Sequence, residues 1–287
     1  MTVFSPNNRL MTGRRSHSQT LVRRLRLWAG RSLLQPVIVV CGFVVASGPV
    51  LSAGGNIDPE ADQVLKAMSA YLAGLQNLSV QADTDIEVIM RDGQKLQLTS
   101  LVDVALARPG KLDISRRGAY AEARILMNEG KVTVHVTSHN AYTQLESKDS
   151  IDDGIDSLSR DKGIDAPASD LFRSDSYEKL ATELTSGAYL GTTLVNGEEC
   201  HHMAFRSDVA DSQLWVRTGE HPLPMKYVVT SKWITGAPQY AVRFRNWDTA
   251  PNLAANRFEF TPSPTDRRLE TLPTNEVGEF SIEEAQQ

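Results

Sequence analysis

The stretch NLSVQADTDIEVIMRDGQKLQLTSLVDVAL, residues 77–106, decides the fold. Apolar and polar residues alternate on both sides of Asp92-Gly93, a pair that is typical of tight hairpin turns. The alternating apolar positions are Leu78, Val80, Ala82, Ile86, Val88, Leu96, Leu98, Val102, Val104 and Leu106. Because successive side chains of a strand point to opposite faces, this pattern predicts two long antiparallel strands with one buried face.

An amphipathic helix is predicted directly before this hairpin. Asp58 suits an N-cap, Pro59 suits the first helical turn, and Glu60 lies at the positive end of the helix. Apolar residues then follow at a spacing of three and four: Val64, Leu65, Met68, Tyr71, Leu72 and Leu75. We expect this stripe to pack on the buried face of the sheet.

The two-residue period recurs along the rest of the chain and is interrupted once. It predicts strands near Leu112–Arg116, Arg124–Met127, Lys131–Thr137, Ala141–Leu145, Ala188–Val195, Glu199–Arg206, Gln213–Arg217, Met225–Trp233, Gln239–Trp247 and Arg257–Phe260. In the interruption, Ser147–Asp165 predicts a loop or a weak helix, and Ala168–Leu184 predicts short helices. This order predicts an α+β fold: a large curved antiparallel sheet (a half-barrel), with the N-terminal helix and the inserted helices covering its concave face.

Charge is distributed unevenly along the 287 residues. Residues 1–53 contain seven arginines and no acidic residue, whereas the residues from Gly54 onward carry 23 basic and 35 acidic side chains. Within the first segment, Leu33–Ala53 is uncharged over 21 residues. A basic run followed by an apolar run predicts an export signal, cleaved after Ala53 or a few residues earlier. The sequence therefore indicates a periplasmic protein.

Two other interpretations of residues 1–53 stay open. The uncharged run is long enough to be an uncleaved anchor that tethers the protein to the inner membrane. A lipoprotein attached through Cys41 is the second alternative, although Val40 precedes this cysteine where a small residue is expected. Apart from this segment, we expect membrane contact only transiently.

The exported part is predicted to be a single half-barrel domain over residues 54–262. Residues 263–287 are rich in Pro, Thr and Glu, and we expect them to form a disordered acidic tail. The part from Gly54 onward has a charge of −12 and contains Cys200 as its one cysteine, so it forms no internal disulfide. The negative charge and the lack of a basic stripe argue against nucleic-acid binding.

Cys200 and His202 are the residues that most suggest chemistry. On a strand they face one side, and His201 faces the other. They are weak metal candidates, because two ligands from one face do not complete a zinc or copper site. The simpler interpretation is a buried cysteine beside a hydrogen-bonded histidine. We predict no catalytic residue and no cofactor; a metal- or cysteine-dependent enzyme at this pair is the third functional hypothesis.

The segment Asn196–Tyr240 resembles an uncharacterised family of predicted periplasmic proteins, the domain-of-unknown-function 2092 family. The resemblance spans roughly 58–262. Its most specific positions are Gly197, Cys200, His202, Ala204-Phe205, Gln213-Leu214-Trp215, Gly219, Pro222-Leu223-Pro224, Lys226 and Gly236-x-Pro238-Gln239. This family is similar in fold to periplasmic lipoprotein carriers and mycobacterial lipid-binding lipoproteins. The resemblance implies export, an apolar cavity between sheet and helices, and a lipidic ligand, and it brings no established catalytic residues.

We therefore expect an exported protein that binds or carries the acyl chain of a lipid or lipoprotein. The alternative is a non-catalytic interaction or sensing partner of another envelope protein. Candidates for the lining of the cavity are Leu78, Val80, Ile86, Val88, Leu96, Leu98, Val102, Val104 and Trp215.

Overall fold

The computed structural model describes residues 57–90, 92–118, 122–164, 168–270 and residue 272. The predicted export signal and the residues after 272 lie outside this described part of the chain. The first element is helix α1, Pro59–Gly74. As predicted, the carboxylate of Asp58 caps it by accepting a hydrogen bond from the Glu60 N–H at 2.9 Å.

One sheet contains all strands of the described residues. They are β1 (Asn77–Ile89), β2 (Lys95–Ala107), β3 (Lys111–Gly118), β4 (Glu122–Asn128), β5 (Lys131–Val136), β6 (Ala141–Glu146), β7 (Leu184–Val195), β8 (Glu198–Ser207), β9 (Ala210–Arg217), β10 (Pro224–Ser231), β11 (Gln239–Asp248) and β12 (Arg267–Arg268). Their order across the sheet is β12-β6-β5-β4-β3-β2-β1-β11-β10-β9-β8-β7. Neighbouring strands are antiparallel except β12 and β6, which are parallel. The predicted fold class is confirmed.

The hairpin of residues 77–106 lies at the centre of this sheet. Strands β1 and β2 pair along their whole length, with Leu78 opposite Leu106 and Val80 opposite Val104. The other edge of β1 pairs with β11, the last long strand of the described residues. The central hairpin thereby joins two meanders, β1–β6 and β7–β11, which the helical insertion separates in sequence.

Helices cover one face of the sheet, which we call the concave face; the opposite face is the convex face. The covering elements are α1, α2 (Ile151–Lys162), a 3₁₀ turn at Ser169–Phe172 and α3 (Ser176–Thr182). Leu65, Met68 and Leu72 of α1 are at most 2% exposed and belong to the same apolar core as Leu78 and Val80. The alternation in β1 and β2 therefore does bury one face, as the sequence predicts.

Helix α2 occupies a segment with few apolar residues. Its ends explain how it forms: the Ser150 hydroxyl accepts the Asp153 N–H at 3.0 Å, and Gly163 closes the C-terminus at φ 64°. Ile151 and Leu158 are buried on the sheet side. Of the two alternatives predicted for Ser147–Asp165, the helix is the one that forms.

The predicted last strand at Arg257–Phe260 is wrong. Residues Ala255–Phe258 form a 3₁₀ turn on the convex face instead. Asp113 of β3 is only 3% exposed and binds both Arg124, at 2.8 Å, and Arg257, at 3.1 Å. These two ion pairs, together with the burial of Phe258, hold the turn against the face of the sheet. In this position the turn does not lie beside the edge of a strand, so it does not pair as a strand itself.

Residues 263–270, which lie beyond the boundary predicted at residue 262, pack on the sheet. Asp266 accepts a hydrogen bond from His135 of β5 at 3.0 Å. Strand β12 then pairs with the outer edge of β6, and Leu272 is buried in the concave core. The segment therefore passes from the convex to the concave face around the edge of the sheet. Backbone pairing with β6 holds it, and the amino-acid composition of the segment does not predict such pairing.

Arg108, which follows β2, ties the helical cover to the sheet. Its guanidinium donates hydrogen bonds to the carbonyls of Leu75 at 3.2 Å, Leu72 at 3.4 Å and Phe172 at 2.8 Å. The first two carbonyls belong to the C-terminal end of α1, where helix carbonyls lack partners within the helix. One side chain thus satisfies the end of α1 and holds the Ser169–Phe172 turn beside it.

We predict that Arg108→Met lowers the free energy of unfolding by about 2–3 kcal/mol, because buried carbonyls lose a charged donor. Urea denaturation followed by circular dichroism measures this change. The matched control is Arg117→Met, which removes an arginine whose side chain is 60% exposed and paired with Asp103; it should change stability by less than about 1 kcal/mol. Equal losses in the two variants would contradict the role of Arg108.

Candidate functional site

A cleft of about 440 Å³ opens on the concave face, between strands β8–β10 and helices α2 and α3. Its floor consists of inward-facing strand residues, chiefly Phe205, Leu214, Tyr227 and Val229. Its roof consists of helical and turn residues, whose apolar members are Ile155, Ile164 and Leu180. Leu65 of α1 and Leu184 at the start of β7 complete the apolar wall. The cleft is thus the part of the concave face that the cover leaves open.

Polar groups share this cleft with the apolar wall. They are Asp156, Ser159, Ser169, Asp170, Lys179, Glu183, Ser207 and Ser212. Burial raises the pKa of Asp170 above its ordinary value, although the charges of Arg173 and Lys179 act in the opposite direction. Burial also raises the pKa of Tyr227 to about 12, against a smaller lowering by its hydrogen bond to Ser212. Tyr227 is therefore a neutral phenol at the floor of the cleft.

Arg173 fixes the roof. Its side chain is 3% exposed and binds Asp175 at 2.6 Å and Asp156 at 2.8 Å. It also donates to the Asp152 carbonyl at 3.3 Å, so one guanidinium joins α2 to the residues that begin α3. The Asp156 carboxylate is consequently held in an ion pair at the roof.

The nine residues predicted to line a cavity lie elsewhere. Leu78, Val80 and Val104 are buried in the core beneath the cover, and Val102 packs against that core. Toward the tip of the central hairpin, Val88 is buried and three residues are half-buried: Ile86, Leu96 and Leu98. None of the nine lines the 440 Å³ cleft, and their role as ligand contacts stays a prediction.

Trp215, the ninth candidate, lies on the convex face. It forms a small apolar cluster with Val195, Cys200, Met225 and Val228. The residues that do line the cleft floor also alternate along their strands, as Phe205, Leu214 and Tyr227 show. The sequence carried this signal, but the alternation does not tell which part of the face the helices leave open.

Cys200 and His202 share the convex face, and His201 points to the other side, as strand geometry predicts. The thiol is fully buried, and burial raises its pKa, so the nucleophilic thiolate is disfavoured. His202 forms a hydrogen bond through Nε2 with Gln213 Oε1 at 3.1 Å. Across the described residues, no group of three or more His, Cys, Asp or Glu side chains is arranged to hold a metal ion.

Three of the other four described histidines serve separate contacts. His135 pairs with Asp266, and His221 lies against Tyr71 with ring centroids 5.5 Å apart. His201 Nδ1 lies 2.8 Å from the Tyr189 hydroxyl on the concave side. None of these rings joins Cys200 and His202.

A family model described as "Predicted periplasmic protein (DUF2092)" matches residues 61–272. The chain belongs to this family. The description confirms the periplasmic location that the sequence indicates. The match also ends at Leu272, so it includes the segment after residue 262 that packs on the sheet. The predictions for residues 1–53, by contrast, lie outside the described residues.

This DUF2092 protein is also similar to solved structures. An uncharacterized conserved protein from Thermus thermophilus is 10% identical with a TM-score of 0.46, covering 73% of this chain and 99% of that one. LprF from Mycobacterium bovis is 12% identical with a TM-score of 0.45, covering 71% and 100%. The lipoprotein LppX from Mycobacterium tuberculosis is 13% identical with a TM-score of 0.42, covering 69% and 100%.

No curated protein matches this chain. Among the described residues of the DUF2092 protein, no helix has both the length and the apolar character needed to span a bilayer.

We predict that the burial of Tyr227 makes stability depend on alkaline pH. Between pH about 10 and 12 the unfolded chain loses this phenol proton while the folded chain keeps it, so the free energy of unfolding falls as pH rises. Tyr227→Phe should remove about 2–3 kcal/mol of this fall at the upper end of the window. Urea denaturation at stepped pH measures the difference, and parallel curves for the two proteins would contradict it.

Proposed function

We propose that this periplasmic protein binds the acyl chain of a lipid or lipoprotein in the concave cleft. The observation that carries the proposal is the cleft itself: a largely apolar floor on paired strands, faced by a roof in which Ile155, Ile164 and Leu180 lie among polar side chains. Its volume of about 440 Å³ falls within the range of about 300–1,000 Å³ that is common for small-ligand sites.

The chemistry of the lining suits a chain with one polar end. Each methylene removed from water contributes about 0.8 kcal/mol, so an acyl chain against Phe205, Leu214 and Val229 gains affinity without any catalytic group. The Ser169 hydroxyl and the ammonium group of Lys179, which lies 3.8 Å from the Asp156 carboxylate, line the cleft and can contact the ester or headgroup end.

The same groups give little support to catalysis in the cleft. Asp156 is held by Arg173, and Tyr227 stays protonated at neutral pH. The thiol of Cys200 lies on the opposite face of the sheet. A bound ligand would therefore be held rather than converted, which favours a carrier or chaperone-like role.

The first experiment is mass spectrometry of the protein purified from the periplasm without detergent, both native and after organic extraction. We expect an acyl-bearing lipid or a lipoprotein at a substantial fraction of one per protein. Protein that carries no acyl ligand, and that fails to bind an added fluorescent fatty acid, would overturn the proposal. The same spectra give the mature N-terminus.

We predict that filling the cleft weakens binding of that fatty acid. Leu180→Trp enlarges the roof and Val229→Trp enlarges the floor, and each should weaken binding at least about tenfold, which corresponds to about 1.4 kcal/mol. The matched control is Leu101→Trp, at a 41% exposed position on β2 outside the cleft. Circular dichroism confirms the fold of each variant. Unchanged binding in both cleft variants would place the ligand elsewhere.

A second candidate function, contact with another envelope protein, is favoured by strand β7. It is the last strand of the sheet in the described residues, and its Leu190 and Leu194 are 39% and 69% exposed. Exposed edge strands are templates for pairing with another chain. Periplasmic crosslinking from residue 194, with and without Leu190→Lys, tests this function. Crosslinks that are absent or unaffected by the charge would dismiss it.

A further inference from the structure

Several residues singled out in the sequence meet on the convex face, away from the cleft. Trp215 of β9 is flanked by a residue from each neighbouring strand. The His202 ring of β8 stacks on it, with centroids 4.2 Å apart and planes 13° apart. From β10, the Lys226 ammonium lies 4.6 Å from the centroid of the Trp215 ring. Gln213 holds His202 through the 3.1 Å hydrogen bond to Nε2.

The tip of the β7–β8 hairpin folds over this group. Asn196 and Gly197 form the turn at φ 54° and 84°, as expected for a tight hairpin. The Asn196 side-chain amide donates to the carbonyl of Phe244 in β11, at 3.3 Å. Since β9 and β10 lie between β8 and β11 in the sheet, this bond requires the tip to cross the convex face.

A pocket of about 260 Å³ remains beneath the folded tip. Its lining residues are Thr193, Leu194, Val195, Asn196, Trp215, Lys226 and Arg243. The pocket therefore combines a hydroxyl, an amide, an indole ring and two cations. It shares no residue with the concave cleft.

The two cations stand opposite each other. Lys226 and Arg243 are partners in the register of β10 and β11, a placement that is unfavourable for like charges. Burial, and then the charge of Arg243, lower the pKa of Lys226, while Asp85 partly offsets them. The fold thus holds two positive charges together in a domain whose net charge is strongly negative.

Neighbouring carboxylates do not neutralise the pair. Asp83 lies opposite Arg243 in the register of β1 and β11, but its carboxylate accepts hydrogen bonds from Arg245 at 3.1 and 3.4 Å. The Asp85 carboxylate accepts the Thr99 hydroxyl at 2.6 Å. Within the described residues, neither Lys226 nor Arg243 has a carboxylate within ion-pair distance.

We propose that this convex-face pocket binds a phosphate group, carried by a lipid headgroup or by a soluble phosphorylated molecule. The Arg243 guanidinium offers a planar fork to two phosphate oxygens, and Lys226 offers a compact charge to a third. Thr193 and Asn196 add polar groups from the folded tip. Binding an anion removes the repulsion between the cations, which explains why the fold holds them together.

The test begins with inorganic phosphate as the probe, added to the full exported chain at low ionic strength. The indole N–H of Trp215, assigned by comparison with Trp215→Phe, reports binding as a shift in the proton–nitrogen spectrum. We expect a saturable shift. Lys226→Gln and Arg243→Gln should each weaken binding about tenfold, because each removes one charge-assisted contact.

The matched control is Arg206→Gln, which removes one charge from an exposed arginine on β8, paired at 3.9 Å with Asp211. It should leave phosphate affinity within about twofold, since exposed pairs contribute little. If all three variants weaken binding equally, the effect is one of net charge and the proposal is overturned. The proposal is also overturned if the wild type shows no saturable shift and, in the next experiment, does not bind vesicles.

Vesicles separate the two sources of phosphate. One set contains phosphatidylglycerol in phosphatidylcholine, the other phosphatidylcholine alone, and glycerol 3-phosphate serves as the soluble competitor. Flotation with the first set that depends on Lys226 and Arg243 supports a lipid headgroup, and excess glycerol 3-phosphate should reduce it because both phosphates occupy the same pocket. A spectral shift with glycerol 3-phosphate but no flotation supports a soluble ligand. Leu180→Trp, which fills the cleft, should leave both the spectral shift and the flotation intact. Failure of the acyl-chain proposal can therefore be distinguished from failure of the phosphate proposal.

Discussion

Packing of the helical cover on the concave face is the interaction on which the rest of the structure depends. An open sheet with an apolar face has to bury that face against another layer. Helix α1 provides part of the cover before the first strand, and α2, the Ser169–Phe172 turn and α3 provide the remainder between the two meanders. Because the insertion crosses the sheet rather than extending it, β11 can return to pair with β1. Arg108 and Arg173 then fix the cover at two points. The cleft is the gap between the helical cover and strands β8–β10.

The convex face is stabilised differently from the concave one. Its side chains form ion pairs across neighbouring strands, such as Arg245 with Asp83 and Arg117 with Asp103. Individually, exposed pairs of this kind contribute little. The buried carboxylate of Asp113 differs, because two arginines compensate it and one of them brings the C-terminal segment onto the sheet. The folded β7–β8 tip adds the other covered region of this face.

The sequence predicts the strands well because the alternation reports burial directly, residue by residue. Leu78 and Val80 alternate with polar neighbours and are buried, and the turns at Asp92-Gly93 and Asn196-Gly197 require a backbone that those residues adopt readily. The same alternation does not distinguish a strand position under a helix from one beside a gap. Leu96 and Leu98 therefore show the same alternating pattern as Phe205 and Leu214, although only Phe205 and Leu214 line the cleft.

Features that are held by main-chain pairing, or by ion pairs between residues distant in sequence, could not be predicted from the sequence. Residues 263–270 contain Leu269 as their one large apolar residue, yet the edge of β6 offers unpaired backbone groups that order them. Likewise, nothing in the Cys200-x-His202 spacing indicates that a hairpin tip would cross the face and cover Lys226 and Arg243. The family resemblance includes several members of this group, but strand pairing and the folded tip determine which residues surround them.

The sheet itself determines how the two proposed sites relate. Leu214 and Trp215 are consecutive, as are Lys226 and Tyr227, and in each pair one residue faces the cleft while the other faces the phosphate pocket. Since alternate side chains of a strand stand on opposite faces, the backbone of β9 and β10 forms a wall between the sites. One lipid molecule therefore cannot reach through that wall with its chain in the cleft and its phosphate in the pocket. Under the two proposals, the cleft holds the cargo and the pocket contacts a separate anionic group, so the pocket serves to orient or recruit the protein.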